Sequence, residues 1–236
     1  MAIPLIMQVA AASQAIPPLA ALRHRRRLPA PRRWVVGWGL LLLAYDGVAL
    51  ALALRGRPNL WLRYLVGPIE AGVVLVALSL WHQDSVARLA LRYAAALFAI
   101  TWVLLVAFVE QTNTFGLVTG PLQSLVLLGA SVGTLLLRVR TQEVSLVRED
   151  WFWVCGGLAL WYGSAAALEP LARLLVAEHP SVVNSAYRVK AAVDVFASLA
   201  IARGMLCPVL PPLSGGPSSP AFSPSRSSSP PSVSPW

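Results

Sequence analysis

The sequence contains few charged residues for its length. Asp, Glu, Lys and Arg make up only 12% of the 236 residues, and hydrophobic residues make up 57%. A soluble globular chain carries about 25% charged residues, so most of this surface lacks groups that water solvates. Several apolar runs reach the roughly 20 residues that a helix needs to cross a bilayer core. Composition therefore predicts an integral membrane protein whose main partner is the lipid bilayer.

Cysteine and histidine are also scarce. The two cysteines, Cys155 and Cys207, are too few for a disulfide framework. Two isolated thiols without a neighbouring histidine do not fit a zinc site. His24 and His82 fall on one predicted side of the membrane and His179 on the other, and ligands on opposite sides cannot share an ion. The sequence predicts no metal site.

Catalytic and nucleotide-binding motifs are missing as well. The chain has no Gly-rich phosphate loop, HExxH, GxSxG or kinase motif. The net charge is +9, and Lys190 is the only lysine. The arginines lie mostly in short gaps between apolar runs, without the basic face or aromatic platform of a nucleic-acid-binding protein. We therefore expect neither an enzyme nor a cofactor nor a nucleic-acid partner.

Seven apolar runs predict the fold class, an all-α polytopic transmembrane helix bundle of about seven spans. Each run is bounded by charges, Pro, Asn or Gly. Residues 1–207 form this domain, and the Pro/Ser-rich segment 208–236 has too little apolar surface to fold, which predicts a disordered tail. The predicted spans are 3–22, 34–54, 61–81, 88–109, 116–137, 151–171 and 182–206.

The first run has a second interpretation as a cleaved signal peptide, because Ser13 and Ala15 stand at cleavage-like spacing. No Lys or Arg precedes this run, whereas six Arg follow it in the loop 23–33. That order favours a retained span with the N-terminus outside.

Arginine placement also predicts the orientation. Loops 23–33 and 138–148 are Arg-rich, and the opposite loops hold fewer Arg. Cytoplasmic loops carry the excess of Lys and Arg, so the C-terminus and its tail are expected in the cytoplasm. The predicted location is the cell inner membrane.

Ionisable residues inside the spans are the candidates for function. A charge at the centre of a span costs about 2.5–3.5 kcal/mol on insertion scales, so it needs an explanation. Asp46, Glu70 and Asp194 fall near the middle of their spans, whereas Glu169 falls closer to the outer surface. In the last span, five polar residues share a sector of roughly 120°. These are Asn184, Tyr187, Lys190, Asp194 and Ser198.

These residues predict a polar pocket between the second, third and seventh spans. Lys190 and Asp194 are spaced i and i+4 and can pair, and Asp46 or Glu70 can share the ammonium. The pocket residues are Asp46, Glu70, Lys190, Asp194, Tyr187 and Asn184, with hydroxyls from Tyr45, Tyr64 and Tyr162. One interpretation is a ligand-binding or proton-handling site. The other is structural, since buried polar groups also hold helices together, at about 0.6 kcal/mol per hydrogen bond.

The fifth span carries small residues. Gly129 and Gly133 form a GxxxG pattern, which is typical of close helix packing. The pattern predicts packing within the chain, with a helix of a second chain as the alternative partner.

Two stretches carry a resemblance to known proteins. Asn59-Leu60-Trp61-Leu62 runs into Gly67-Pro68-Ile69-Glu70, and the last span has Asn184 and Tyr187 near its start and Ala202-Arg203-Gly204 near its end. In these features the chain resembles a group of small bacterial seven-helix membrane proteins without an assigned activity. The resemblance implies the bundle and no functional residues.

Seven spans with an outside N-terminus also resemble retinal proteins. Microbial rhodopsins attach retinal to a Lys in the last span, with an Asp four residues before it. Here Ala186 stands four residues before Lys190, and Asp194 stands four after. Retinal is therefore not predicted.

Together these features predict a non-enzymatic sensor or small-ligand-binding membrane protein. A small-solute or proton-coupled transporter and a structural subunit of a membrane complex are the alternatives. The sequence does not name the ligand.

Overall fold

The computed structural model describes residues 5–24, 28–110, 116, 118–141, 145–175 and 180–208. Within these residues the regular secondary structure is helical, without strands. The predicted tail, residues 208–236, lies outside the described part except for its first residue, as do His179 and the side chain of Glu169. The helices are α1 Leu5–Ser13, α2 Ile16–Leu22, α3 Ala30–Leu54, α4 Trp61–Ser79, α5 Ser85–Phe108, α6 Thr119–Thr141, α7 Asp150–Leu175 and α8 Pro180–Leu206, with one 3₁₀ turn at Leu146–Arg148.

Among the described residues, six helical segments are long and apolar enough to cross a membrane: α1 and α2 taken together, and each of α3 to α7. This confirms an all-helical, multi-span chain. The last helix, α8, has 27 residues and is about 40 Å long. Its length suffices for a span, but Arg188, Lys190, Asp194 and Arg203 make it more polar than the others. Seven spans therefore stays a prediction.

The first predicted span is two helices rather than one. The break falls at Gln14 and Ala15, between α1 and α2. Pro17 and Pro18 lie in the first turn of α2, where backbone N–H groups have no acceptor within the helix. Helices α1 and α2 both pack against α8, and α2 also contacts α3. This packing supports a retained span, which stays a prediction.

Six helices form a ring in the order α2, α3, α4, α6, α7 and α8, which returns to α2. The interior is apolar, with Trp38, Leu75, Leu127, Leu158 and Ile201 buried on five different helices. Helix α5 lies outside the ring, mainly against α4. Its outward side chains are large and apolar, as expected for a surface covered by lipid.

The closest helix crossing joins α7 and α8. A Cβ added at Gly157 would lie 2.8 Å from the carbonyl oxygen of Ala197, and one added at Gly204 would lie 2.9 Å from that of Asp150. The GxxxG pattern predicted such packing on α6 instead, and this expectation is wrong. A Cβ at Gly129 or Gly133 meets no described atom within 4 Å, because this side of α6 turns away from its neighbours. A helix partner from another chain stays a prediction.

The backbone hydrogen bond that Pro68 removes from α4 is replaced by one from a neighbouring helix. Pro68 has no N–H to donate to the carbonyl of Tyr64, four residues earlier. Trp102 of α5 donates its indole N–H to that carbonyl oxygen at 2.9 Å. Gly67 makes room for the ring, since a Cβ there would clash with Trp102. Trp102 lies too deep for an aromatic belt at the membrane surface, and this hydrogen bond explains its position.

The compensation can be measured with a double-mutant cycle. Trp102→Phe removes the indole donor from the Tyr64 carbonyl and should lower the free energy of unfolding by about 1–3 kcal/mol. In a Pro68→Ala background the N–H at position 68 takes over that carbonyl, so Trp102→Phe should cost about 1 kcal/mol less. Denaturant unfolding in detergent measures both costs. Equal costs in the two backgrounds would show that the indole does not replace the missing bond.

The buried side chain of Arg32 joins three helix ends at one end of the bundle, where most of the described arginines lie. The Arg32 side chain is 3% exposed, and its Nε donates to the carboxylate of Asp150 at 2.7 Å. One terminal nitrogen of Arg32 donates to the carbonyl oxygen of Cys207, also at 2.7 Å. The starts of α3 and α7 and the end of α8 are thereby joined.

His82 lies at the same end, between α4 and α5. It is buried, and its Nε2 lies 3.1 Å from the hydroxyl of Thr134. Burial lowers the pKa of His82 because it disfavours the imidazolium, and the positive charge of Arg138 lowers this pKa further. Protonation of His82 is therefore harder in the folded protein than in the unfolded one.

This shift makes stability depend on pH. The unfolded histidine has a pKa of about 6.5, so acidification below about pH 6.5 favours the unfolded state, and raising the pH restores stability. His82→Gln should flatten this part of the pH profile of Tm. The control is His24→Gln, because the described structure gives the His24 side chain no hydrogen bond. A profile unchanged by His82→Gln would refute the assignment.

Candidate functional site

Glu70 is a carboxylate in the middle of the bundle. It lies halfway along α4 and is 1% exposed. The helical repeat places it on the same face as the buried residues Gly67, Ala71 and Val74, so the chain turns it inward. A carboxylate this deeply buried needs partners on the surrounding helices.

Three helices supply those partners. Glu70 Oε2 accepts hydrogen bonds from a terminal nitrogen of Arg63 at 2.8 Å and from Nε2 of Gln123 at 2.9 Å. Glu70 Oε1 accepts one from the hydroxyl of Tyr162 at 2.8 Å. Helices α4, α6 and α7 are thus joined through one side chain.

A fourth helix joins through Tyr162. The indole N–H of Trp38, on α3, donates to the Tyr162 hydroxyl oxygen at 3.0 Å. The Tyr162 hydroxyl can therefore give its own proton only to Glu70, and each bond in the series polarises the next. We call Arg63, Glu70, Gln123, Tyr162 and Trp38 the Glu70 network. Its most accessible member is Arg63, whose side chain is 33% exposed.

One acceptor in the Glu70 network has no donor. An ionised carboxylate only accepts hydrogen bonds, so Gln123 must turn its NH₂ group towards Glu70. Its carbonyl oxygen Oε1 then faces away, and this buried oxygen has no donor among the described residues. A buried acceptor left unpaired costs about 1–3 kcal/mol.

Asp46 forms a separate contact on α3. Its Oδ2 accepts a hydrogen bond from Nε2 of Gln14 at 3.0 Å, at the break between α1 and α2. Asp46 lies close enough to Arg63 and Glu70 to interact with their charges. It is therefore a neighbour of the Glu70 network without a hydrogen bond to it.

Lys190 and Asp194 pair on α8, as their spacing predicts. Lys190 Nζ lies 2.6 Å from Asp194 Oδ2, and the Ser164 hydroxyl donates to Asp194 Oδ1 at 3.4 Å. The ammonium also lies 5.4 Å from the ring centre of Trp161, which is a cation–π contact. Trp161, like Trp102, lies too deep for an aromatic belt at the membrane surface, and this contact explains its depth.

The single pocket expected from the sequence is divided in the structure. Among the described residues, Lys190 has neither Asp46 nor Glu70 as an ion-pair partner. The shared-ammonium prediction is therefore wrong. An aromatic contact connects the two carboxylate sites, since Trp38 of the Glu70 network meets Trp161, the ring beside Lys190, edge to face at 5.7 Å.

The polar stripe of α8 is only partly inward. Asp194 and Ser198 are buried and Lys190 is half-buried, but Asn184 and Tyr187 are exposed. Val183 is the only buried side chain described between residues 181 and 190, so the first turns of α8 bury little of their surface. Asn184 and Tyr187 therefore lie outside the candidate site.

The sequence found part of the Glu70 network and missed the rest. Glu70 and a hydroxyl from Tyr162 were expected. Tyr64 donates instead to Glu110. Tyr45 lies near the charges of Arg63 and Glu70 and forms no hydrogen bond with them. Arg63, Gln123 and Trp38 were missed. Gln123 carried a signal, since it is a large polar residue inside an apolar run.

Comparisons with known proteins add no further site. No protein-family model, curated protein or solved structure matches this chain. In the part of the chain that the structure describes, no group of three His, Cys, Asp or Glu side chains could hold a metal ion.

The network's contribution to stability can be tested at Tyr162. Tyr162→Phe removes the hydroxyl that links Glu70 to Trp38, and should lower the free energy of unfolding by about 1–3 kcal/mol. The control is Tyr93→Phe, because Tyr93 is 67% exposed on α5. Denaturant unfolding in detergent should show a loss for Tyr162→Phe alone. Equal effects at the two tyrosines would contradict the network.

Proposed function

We propose that this chain is a non-enzymatic multi-pass membrane protein that binds a small ligand at the Glu70 network and acts as a sensor. The observation that supports it is the cost of the buried charge. Placing a charge inside a span costs about 2.5–3.5 kcal/mol, whereas helix-joining hydrogen bonds contribute about 0.6 kcal/mol each. The two bonds that join Glu70 to other helices, from Gln123 and Tyr162, offset only part of that cost.

The groups in the network favour a small organic cation as the ligand. Glu70 and the unpaired Gln123 Oε1 are both acceptors, so a bound group must donate hydrogen bonds. The guanidinium of Arg63 now occupies the cationic position beside Glu70, and its side chain reaches the exposed end of the network. An ammonium ligand would enter from that end and displace Arg63.

The orientation and location belong to the same proposal. Successive helices run in opposite directions, so most of the described arginines lie at one end of the bundle. We propose that this end is cytoplasmic and that the protein lies in the cell inner membrane with seven spans and an outside N-terminus. The arginines at this end are Arg32, Arg33, Arg88, Arg92, Arg138, Arg140, Arg148 and Arg203.

A matched set of probes tests the ligand class. Butylammonium should raise the Tm of the detergent-solubilised protein, whereas butyrate and butanol, with the same carbon chain, should not. Glu70→Gln should abolish the response. Arg63→Gln should enlarge it, since the competing cation is gone.

The outcome separates this proposal from a structural role. If butylammonium has no effect on the wild type, or if its effect survives Glu70→Gln, the ligand site is refuted. Size-exclusion chromatography and circular dichroism confirm that each variant is folded before its response is compared.

A structural subunit is the second candidate. It is favoured by the way one residue joins α4, α6 and α7, and through Tyr162 also α3. In that case Arg63→Gln destabilises the protein, and no amine restores its stability.

A further inference from the structure

A groove runs along the outer surface of the bundle between α3 and α4. The groove is shallow and open to the surroundings, with a volume of about 440 Å³. It is separate from the Glu70 network, none of whose residues line it. The lining residues are Arg33, Trp34, Gly37, Leu41, Ile69 and Val73.

The groove is open over Gly37, which adds no side chain to it. A Cβ added at Gly37 would meet no described atom within 4 Å. Trp34 and Ile69 flank the opening and remain 42% and 49% exposed. The sequence thus leaves a channel between two helices that otherwise pack together.

The groove is apolar along its floor and positive at one end. Arg33 lies in the first turn of α3, and Leu41 lies about 12 Å further along the helix axis. The hydrocarbon core is about 30 Å thick, so the groove runs from the membrane surface well into the leaflet. Its occupant must therefore be apolar over most of its length.

Arg33 and its neighbour Arg32 have different surroundings. Arg32 is buried and paired with Asp150. The side chain of Arg33 is exposed, and among the described residues it has no hydrogen-bond or ion-pair partner. An exposed guanidinium at the mouth of an apolar groove complements a phosphate attached to a hydrocarbon chain.

We infer that this groove binds one anionic phospholipid, with its phosphate on Arg33 and an acyl chain over Gly37 and Leu41. Trp34 lies at the level of the glycerol, where indole rings favour the membrane interface. A zwitterionic lipid carries the same phosphate, but its ammonium adds a positive charge near Arg33, and the lining contains no acidic side chain to offset that charge. Basic pockets between helices on the cytoplasmic side are typical sites for anionic headgroups, and the proposed orientation places Arg33 on that side.

Native mass spectrometry of the protein in nanodiscs tests the site. The wild type should retain phosphatidylglycerol in preference to phosphatidylcholine. Arg33→Gln should reduce phosphatidylglycerol retention about fivefold, the effect of one basic residue near an anionic surface. Gly37→Leu should reduce it as well, because the new side chain occupies the groove.

Two controls separate this site from general charge attraction and from misfolding. Arg148→Gln removes the same charge from another exposed position at the same end of the bundle. Gly47→Leu adds the same side chain to α3 at another position with open space. Both should retain phosphatidylglycerol like the wild type.

Three results would overturn the inference. The first is equal retention of the two lipids by the wild type, and the second is an equal loss in Arg148→Gln. The third is unchanged retention in Gly37→Leu while that variant elutes as a folded protein.

Discussion

The burial of Glu70 is the constraint on which the rest of the bundle depends. A carboxylate that is 1% exposed inside a membrane-spanning helix must be surrounded by donors, and those donors come from α4, α6 and α7. Trp38 extends the series to α3. Each of these helices must keep its rotation and height for the hydrogen bonds to form. One charge thereby fixes four of the six helices in the ring.

Close packing supports the same arrangement from outside the network. Gly67 and Pro68 lie directly before Ile69 and Glu70, and they let Trp102 of α5 hydrogen-bond to α4. Gly157 and Gly204 bring α7 against α8. In a membrane no hydrophobic force drives helices together, so close contact and internal hydrogen bonds must do so. The chain uses glycine where helices meet and polar groups where they need alignment.

Much of this fold could be predicted from the sequence because membrane spans depend on composition over a single segment. The apolar runs located the helices to within a few residues. The predicted i and i+4 pair, Lys190 and Asp194, was found for the same reason, since both residues lie on one helix.

The contents of the candidate site could not be predicted in the same way, because they depend on which helices are neighbours. Glu70 was expected to share the ammonium of Lys190, but α4 contacts α3, α5 and α6, whereas α8 lies beside α7 and the α1–α2 pair. Trp38 and Gln123 belong to the network through that neighbour order alone. Helical periodicity placed Tyr187 on the inward stripe, yet it cannot show that α8 is exposed there.

Solid-state NMR in lipid bilayers tests the central claim most directly. The protein is labelled with ¹³C on the tyrosine ring and on the glutamate carboxyl carbon. Glu70 and Tyr162 are hydrogen-bonded through oxygens 2.8 Å apart, so a cross-peak between their labelled carbons should appear and should disappear in Tyr162→Phe. A separate cross-peak, from the contact of Tyr64 with Glu110, should remain in that variant. A wild-type spectrum without this cross-peak, or one that keeps it in Tyr162→Phe, would contradict the buried Glu70 network.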